Sequence, residues 1–216
     1  MERGCVAVLG GTGALGSGLA RRLGGAGWSV IIGSRDADRA ASFAATLGPA
    51  VSGMGYAEAA AAADLAILTV PFAHQVATIT AVASQLAGKI LIDATVPLQP
   101  PKVSRVQLPA EGSAAARAAA AAGPDVRLVS AFQNVGAQLL QQDGPIDCDV
   151  LVTGDDEEAC AQTVALAADC GLRAWHAGPL ANAVAAEAMT SLLIFLNRKY
   201  RLGHAGIRIT GDDGHA

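Results

Sequence analysis

Apolar residues along this chain form short continuous runs that alternate with stretches of helical periodicity. The first run covers residues 5–9, and later runs cover 29–32, 65–70, 89–93, 126–129, 149–153 and 173–176. Continuous apolar runs of this length are typical of strands that are buried on both faces of a parallel sheet. The alternation with helices predicts an α/β fold, namely a Rossmann-type doubly wound and mostly parallel sheet with a small C-terminal α/β lobe.

Helical periodicity divides the chain further. Helices are predicted after the first strand and over 37–47, 56–63, 73–86, 114–122, 156–168 and 181–197. The last of these is apolar enough to be buried on most sides, which indicates a small second lobe or a dimer surface. We expect a nucleotide-binding domain over 1–140, a lobe completing the substrate cleft over 141–210, and a disordered tail over 211–216.

A glycine-rich turn, Gly10-Gly11-Thr12-Gly13-Ala14-Leu15-Gly16, joins the first strand to the first helix. In that context the glycines form a dinucleotide-binding fingerprint. Gly11 permits the tight turn, Gly13 lets the backbone approach a pyrophosphate, and Gly16 lets the helix pack closely on the strand. The free N–H groups at the start of the helix would then face the phosphates.

The end of the second strand indicates which dinucleotide is bound. An NAD site usually has an acidic residue there for the ribose 2′-hydroxyl, but this chain has Ser34 and Arg35. A guanidinium suits a 2′-phosphate through paired, charge-assisted hydrogen bonds, and Arg39 is one helical turn further on. We interpret Asp36 as the cap of the following helix, so that NADP is favoured over NAD.

The next two strands end in proline-containing turns, 69–71 and 94–97. Parallel strands bring their carboxyl ends to one edge of the sheet, where ligands of open α/β sheets bind. We therefore expect Val70 and Pro71 to lie along the adenosine, and Thr95 and Val96 along the nicotinamide. The aperiodic segment 98–109 is a candidate loop to cover the site.

Composition narrows the function classes. A net charge of −4 argues against nucleic acid as a main partner, since phosphate backbones require a basic surface. We expect no membrane partner, because no apolar run reaches the length of about 18 residues that a membrane helix needs. The chain starts directly on its first strand, and its four cysteines and four histidines show no metal-binding spacing. A cytoplasmic protein with reduced thiols and no metal is the expectation.

The order of these motifs resembles the family of NADPH:deazaflavin oxidoreductases. The similarity runs from about residue 6 to residue 209 and includes the turn Gly178-Pro179-Leu180. It implies an oxidoreductase that moves a hydride between NADP and an 8-hydroxy-5-deazaflavin, coenzyme F420. The apolar last helix, not the resemblance, is the basis for expecting a homodimer. The rings of the two molecules carry the reactivity, and the protein orients them and excludes water.

The resemblance also implies individual site residues. The pyrophosphate would be held by Thr12, Gly13, Ala14 and Leu15, and the 2′-phosphate by Ser34, Arg35 and Arg39. The rest of NADP would be lined by Val70, His74, Val96 and Ala137. The deazaflavin would contact Gln133, Asn134, Val135 and Thr190. Members of the family often have a histidine where this chain has Gln133, whose amide can donate a hydrogen bond to a ring carbonyl but cannot act as an acid.

Two other functions stay open at the level of sequence. A different NADPH-dependent reductase, acting on a flavin, an imine or a carbonyl, would need a catalytic Lys, Tyr or His near the nicotinamide, and Lys102 is the one lysine placed for that. A non-catalytic module that senses NADP(H) would bind the nucleotide without turnover.

Overall fold

A single eight-stranded sheet organises the computed structural model, which describes residues 3–211. The strand order is β3-β2-β1-β4-β5-β6-β7-β8, and every neighbouring pair is parallel except β6 and β7. The strands are β1 Cys5–Leu9, β2 Ser29–Ser34, β3 Val51–Gly55, β4 Leu65–Leu68, β5 Ile90–Asp93, β6 Arg127–Ser130, β7 Asp149–Gly154 and β8 Arg173–His176. The predicted Rossmann-type architecture is confirmed.

In the described part of the chain, seven α-helices cover the two faces of the sheet. They are α1 Ala14–Gly25, α2 Ala37–Ala44, α3 Tyr56–Ala62, α4 Gln75–Val82, α5 Ala114–Ala122, α6 Glu157–Asp169 and α7 Ala183–Tyr200. One core cluster joins alternate strand residues such as Val6 and Val8 to α1, α2 and α6. The other joins Ala7 and Leu9 to α3, α4 and α5. The strands are therefore buried on both sides, which explains their continuous apolar runs.

The strand order reverses beside β1, which pairs with β2 on one side and with β4 on the other. Helices leave β1 and β4 towards opposite faces at this point, so a crevice opens above the carboxyl ends of these two strands. Such a switch point is where ligands of open α/β sheets bind. The glycine-rich turn after β1 lies at the head of this crevice.

Strand β3 was not predicted from the sequence, because Ser52, Gly53 and Gly55 interrupt its apolar character. Gly53 is nonetheless required there. A Cβ at this position would lie 2.2 Å from the carbonyl carbon of Ala40 in α2. The strand is thus selected by close packing of α2 on the sheet, a tertiary effect that local periodicity does not reveal.

Several helix boundaries also differ from prediction. Helix α2 ends at Ala44, before the predicted residue 47, and the helix predicted over 73–86 is divided into α4 and two short 3₁₀ turns, Phe72–His74 and Ala83–Leu86. The predicted limits of α5 agree with the structure. The Ser113 hydroxyl caps α5 by accepting a hydrogen bond from the Ala116 N–H at 2.9 Å.

The C-terminal part of the chain extends the same sheet through β7 and β8. Arg22 of α1 ties this part down, because its guanidinium donates to the carbonyls of Leu140, Gly144 and Cys170. The division into a domain over 1–140 and a lobe over 141–210 stays a prediction. Of the predicted disordered tail, residues 212–216 lie outside the described residues.

Helix α7 is less buried than its sequence predicts. Leu192, Phe195 and Leu196 are 55%, 48% and 36% exposed, whereas Glu187 faces inward and is 1% exposed. By length and composition alone, the segment Leu180–Tyr200 is also apolar enough to span a membrane, contrary to the expectation that no segment of this chain is. The prediction considered only uninterrupted apolar runs. Isolated polar residues interrupt the apolar run in this helix, although its mean hydropathy is high.

Candidate active site

The carboxyl ends of β1, β4, β5 and β6 lie along one edge of the sheet because these strands are parallel. The turns that leave them, 10–13, 69–71, 94–97 and 131–137, contain most of the site residues predicted from the sequence. Strand β7 is antiparallel to β6, so its amino end, Asp149, adjoins the same edge. The predicted clustering of these turns is therefore present in the fold.

Close packing explains the glycines of the first turn. A Cβ at Gly11 would lie 2.7 Å from Cδ1 of Ile32 and 2.8 Å from the carbonyl oxygen of Val8. A Cβ at Gly16 would lie 2.5 Å from the Thr69 hydroxyl oxygen and 2.7 Å from the Cα of Gly11. Gly13 differs from both, because the nearest atom to its Cβ would be the Gly10 carbonyl oxygen at 3.4 Å. The absence of a side chain at Gly13 therefore leaves space on the outer side of the turn, away from the rest of the protein.

Within residues 3–211, no side chain caps the amino end of α1, and the first turn of this helix has no acidic residue. The contrast with other helices is informative. Asp36 caps α2 and Asp156 caps α6, each by accepting a hydrogen bond from a backbone N–H. Thr12, Gly13 and Ala14 are at least partly exposed at the α1 terminus, whereas Leu15 is half-buried against the core. The Gly13 N–H donates to the Gly10 carbonyl at 3.0 Å, so the N–H groups left for an external anion such as a phosphate are those of the first α1 residues, from Ala14 onwards.

The end of β2 presents two arginines, and the carboxylate that directly follows Arg35 is used as a helix cap. The Asp36 carboxylate accepts a hydrogen bond from the Arg39 N–H at 3.0 Å, which confirms its interpretation as a helix cap. Arg35 and Arg39 are exposed, and neither forms a salt bridge among residues 3–211. The Ser34 hydroxyl accepts from the Asp36 N–H at 3.3 Å, so its proton stays available to donate.

Tyr56 is a neighbour of this cationic pair that sequence reasoning missed. Its ring packs over Gly33, where a Cβ would lie 3.2 Å from Cδ1 of Tyr56. Burial raises the pKa of Tyr56, and the charge of Arg35 acts in the opposite direction. Nothing in the local sequence around Tyr56, the first residue of α3, indicates that its ring packs against the end of β2.

The β4 turn divides into a buried and an exposed part. Val70 is 6% exposed and lies against the glycine turn, since a Cβ at Gly10 would approach its Cγ1 to 2.9 Å. Pro71 and His74 are exposed at the surface. A nucleotide bound at this edge could therefore pack on the buried Val70 and contact Pro71 and His74 at the protein surface.

The β5 turn contains a buried carboxylate. Asp93 is 1% exposed and accepts hydrogen bonds from the Gln75 side chain at 2.6 Å and from the Thr95 N–H at 3.0 Å. Burial raises the pKa of Asp93 to about 6, and the hydrogen bonds from Thr95 and Gln75 oppose the rise. Thr95 is buried beside it, whereas Val96 is partly exposed at the edge. Asp93 and Gln75 were both missed from the sequence. Asp93 ends a strand and Gln75 begins a helix, and polar residues are ordinary at both kinds of position.

Gln133 is held by hydrogen bonds on three sides. Its side-chain amide nitrogen donates to the Asp93 carbonyl oxygen at 2.9 Å and to the Ser130 hydroxyl at 2.6 Å. Its backbone carbonyl accepts a hydrogen bond from the Thr190 hydroxyl at 2.8 Å. Its Oε1 is buried without a partner among the described residues. The side chain therefore offers an acceptor, and the donor expected from the sequence is already in use.

The segment around Gln133 has an unusual backbone. Phe132 is fully buried and has φ 71°, a left-handed conformation that is rare for a bulky residue. Asn134 and Val135 are buried, and Ala137 is partly exposed. The Asn134 amide donates to the Asp149 carbonyl at 2.6 Å, and its Oδ1 has no partner among residues 3–211. Strain held by such a tight network is typical of functional segments.

Helix α7 braces this edge through two polar residues. Thr190 binds the carbonyl of Gln133, so it positions the 131–137 turn. The Glu187 carboxylate accepts from the N–H groups of Ala114 and Ala115, at 2.7 and 2.9 Å, and thereby anchors the start of α5. Burial raises the pKa of Glu187 to about 7; the two N–H groups oppose the rise, and the charge of Asp93 adds to it.

Comparison with known proteins identifies this arrangement. Residues 5–97 match the family model described as NADP oxidoreductase, coenzyme F420-dependent. An F420-dependent NADP reductase of Methanothermobacter marburgensis is 46% identical over 95% of this chain and 97% of its own length. The chain belongs to the F420-dependent NADP reductase family. A reductase of the same name from Methanocaldococcus jannaschii is 38% identical over 95% of this chain and 97% of its own length.

The fold of these reductases is seen in a solved structure as well. A protein of Arthrobacter sp. FB24 assigned as an F420-dependent NADP reductase superposes with a TM-score of 0.83, at 26% identity, over 96% of this chain and all of that chain. The match covers the C-terminal strands and α7 as well as the nucleotide-binding part. The sequence-based prediction of the family and of its fold is confirmed.

Proposed function

We propose that this protein transfers a hydride directly between NADP(H) and the deazaflavin ring of coenzyme F420. The observation that carries the proposal is the pairing of an uncapped α1 terminus behind the glycine turn with Arg35 at the end of β2. This pairing suits a dinucleotide that bears a 2′-phosphate. The names of the curated relatives supply the second substrate and agree with the predicted activity.

The protein's own part in this reaction is binding and orientation. The glycine turn and the α1 N–H groups would hold the pyrophosphate, and Ser34, Arg35 and Arg39 the 2′-phosphate. The β5 turn, with Thr95 and Val96, would support the nicotinamide, and the 132–137 segment would face the deazaflavin. When bound, the two rings themselves supply the hydride donor and acceptor.

The arrangement of Gln133 defines its role in the proposal. Its Oε1, which has no partner among the described residues, would accept a hydrogen bond from a ring N–H. The Ser130 hydroxyl and the Asp93 carbonyl hold its side-chain amide, and the Thr190 hydroxyl holds its backbone carbonyl. Because an amide holds no exchangeable acidic proton near neutral pH, Gln133 orients the ring and transfers no proton.

The assay that tests the function follows the absorbance of oxidised coenzyme F420 on addition of NADPH. We expect the deazaflavin band to bleach, and NADH to replace NADPH poorly. Titration of the protein with NADPH alone serves as the binding control. Clear NADPH binding without bleaching would contradict hydride transfer to F420 and favour another electron acceptor or a sensing role.

We further propose that the protein is a homodimer formed through α7. Leu192, Phe195 and Leu196 form an exposed apolar face on this helix. A face of this kind, on a helix whose other side braces the site, is typical of an interaction surface. Replacing Phe195 with Glu is expected to give monomers in analytical ultracentrifugation, whereas the Phe195→Leu control keeps the dimer. A wild-type protein that sediments as a monomer would overturn the proposal.

A cytoplasmic location and purely small-molecule substrates complete the proposal. All four cysteines are free thiols, as expected for a reducing compartment. The net charge of −4 does not favour a nucleic acid. On the inner side of α7, Glu187 accepts from the Ala114 N–H and Thr190 donates to the Gln133 carbonyl, which favours protein packing for that helix over a lipid environment.

A further inference from the structure

The carboxylate of Asp93 has an unusual set of neighbours. It is buried at the carboxyl end of β5, and its hydrogen-bond donors among residues 3–211, the Gln75 amide and the Thr95 N–H, are both neutral. No Lys, Arg or His side chain within residues 3–211 forms a salt bridge with it. An ionised carboxylate in this position therefore lacks a counter-charge from the described protein.

A hydrogen-bonded chain fixes this carboxylate in place. The Gln75 amide nitrogen donates both to Asp93 and to the carbonyl of Ala114, and the N–H of Ala114 donates to Glu187. Four elements, β5, α4, α5 and α7, are thus joined around Asp93. The carboxylate cannot swing towards solvent without breaking this chain, so its charge stays at the edge where the β5 turn leaves the sheet.

We propose that Asp93 provides the counter-charge for the oxidised nicotinamide ring and so sets the preference of the site between NADP⁺ and NADPH. The inference rests on the proposed function, which assigns the β5 turn to the nicotinamide. The oxidised ring carries a positive charge and the reduced ring is neutral, while the rest of the dinucleotide is the same in both. A buried negative charge beside the ring therefore favours the oxidised form selectively.

Protonation of Asp93 would abolish this preference. Other titratable or charged groups face the same region, namely Glu187 from α7, His74 before α4, and Arg117 of α5, whose guanidinium stacks on Phe72. The 2′-phosphate also titrates, but it is present in both nucleotides and cancels in the ratio of their dissociation constants. We therefore take that ratio as the readout.

The decisive experiment compares the dissociation constants of NADP⁺ and NADPH for the full-length protein and Asp93→Asn. NADPH is titrated by fluorescence, and NADP⁺ by competition. At pH 8, Asp93→Asn is expected to weaken NADP⁺ about tenfold and to change NADPH by less than about threefold. A tenfold change is about 1.4 kcal/mol, the attraction between two unit charges about 12 Å apart at an effective dielectric constant near 20. Asp64→Asn is the matched control, since Asp64 accepts from the Cys5 N–H at the opposite edge of the sheet.

A second measurement is made on the wild type, so its result does not depend on whether Asp93→Asn folds. In the wild type, the preference for NADP⁺ is expected to rise about tenfold between pH 5 and pH 8 as Asp93 ionises. The rise is expected to persist in His74→Gln, which removes the nearby imidazole, and to vanish in Asp93→Asn.

The outcomes separate the two proposals. If the wild type binds neither nucleotide, the proposed function fails. If it binds both, but Asp93→Asn weakens NADP⁺ and NADPH equally or leaves both unchanged, Asp93 has a merely structural role and the inference is overturned. A wild-type ratio that is constant with pH would also overturn it.

Discussion

Replacing Arg35 with alanine is expected to weaken NADPH binding by about 10- to 100-fold and to change NADH binding by less than about threefold, since a hydrogen bond to a charged group contributes about 1.5–3 kcal/mol. Arg35 lies at the end of β2 and is exposed, without a salt bridge among the described residues. Its guanidinium is thus free to bind a 2′-phosphate with paired hydrogen bonds. Fluorescence titrations with the two reduced nucleotides measure both effects.

Two control variants sharpen this result. Arg35→Lys keeps the charge but not the planar pair of donors, so we expect an intermediate loss of NADPH affinity. Arg21→Ala removes an equal charge from α1, where Arg21 pairs with Asp143 at 2.9 Å, and should leave the NADPH-to-NADH preference unchanged. An equal loss of NADPH and NADH affinity in Arg35→Ala would show that Arg35 supports the fold and does not read the phosphate.

The position of Asp36 shows why the sequence sufficed to predict the role of this residue. An acidic residue beside Arg35 leaves the choice between NAD and NADP open until its partner is known. Its position immediately before a helical pattern indicates a cap, and the cap is present. The cap could be predicted from local sequence, because Asp36 and the residue whose N–H it accepts, Arg39, lie within one turn of helix.

The parts that sequence reasoning missed depend on contacts between distant segments. The amide of Gln133 is used up by Ser130 and by the carbonyl of Asp93, 40 positions away. Glu187 anchors the start of α5 from 73 positions away. No periodicity or motif encodes such pairs. A donor role for Gln133 was therefore a reasonable expectation from its chemistry alone, and the burial of Asp93 and Glu187 could not be predicted.

The exposure of α7 was mispredicted for a related reason. Its composition is apolar around most of its circumference, which in a single chain indicates burial. The sheet covers only the side that carries Glu187 and Thr190, and Leu192 and Phe195 are left exposed. A sequence does not distinguish a face buried within one chain from a face buried between two chains, since both need the same residue types.

Replacing Gly13 with alanine is expected to weaken NADPH and NADH alike, by about 100-fold or more, while the free energy of unfolding changes by less than about 1 kcal/mol. The added Cβ would meet no protein atom closer than the Gly10 carbonyl oxygen at 3.4 Å, and the backbone angles, φ −79° and ψ 167°, are open to any residue. The methyl group would instead occupy the outer side of the turn, where the pyrophosphate must approach the backbone. Nucleotide titration and chemical denaturation measure the two quantities on the same preparation.

Gly16→Ala is the matched comparison, because there the Cβ would lie 2.7 Å from the backbone of Gly11 and the turn itself must move. We expect this variant to lose stability as well as affinity. The two variants with Arg35→Ala then separate three causes of weak binding: a blocked pyrophosphate, a distorted turn and a lost 2′-phosphate contact. Normal NADPH affinity in a folded Gly13→Ala protein would contradict the assignment of the pyrophosphate to the α1 terminus, and with it the orientation of the dinucleotide along the sheet edge on which the placement of the nicotinamide depends.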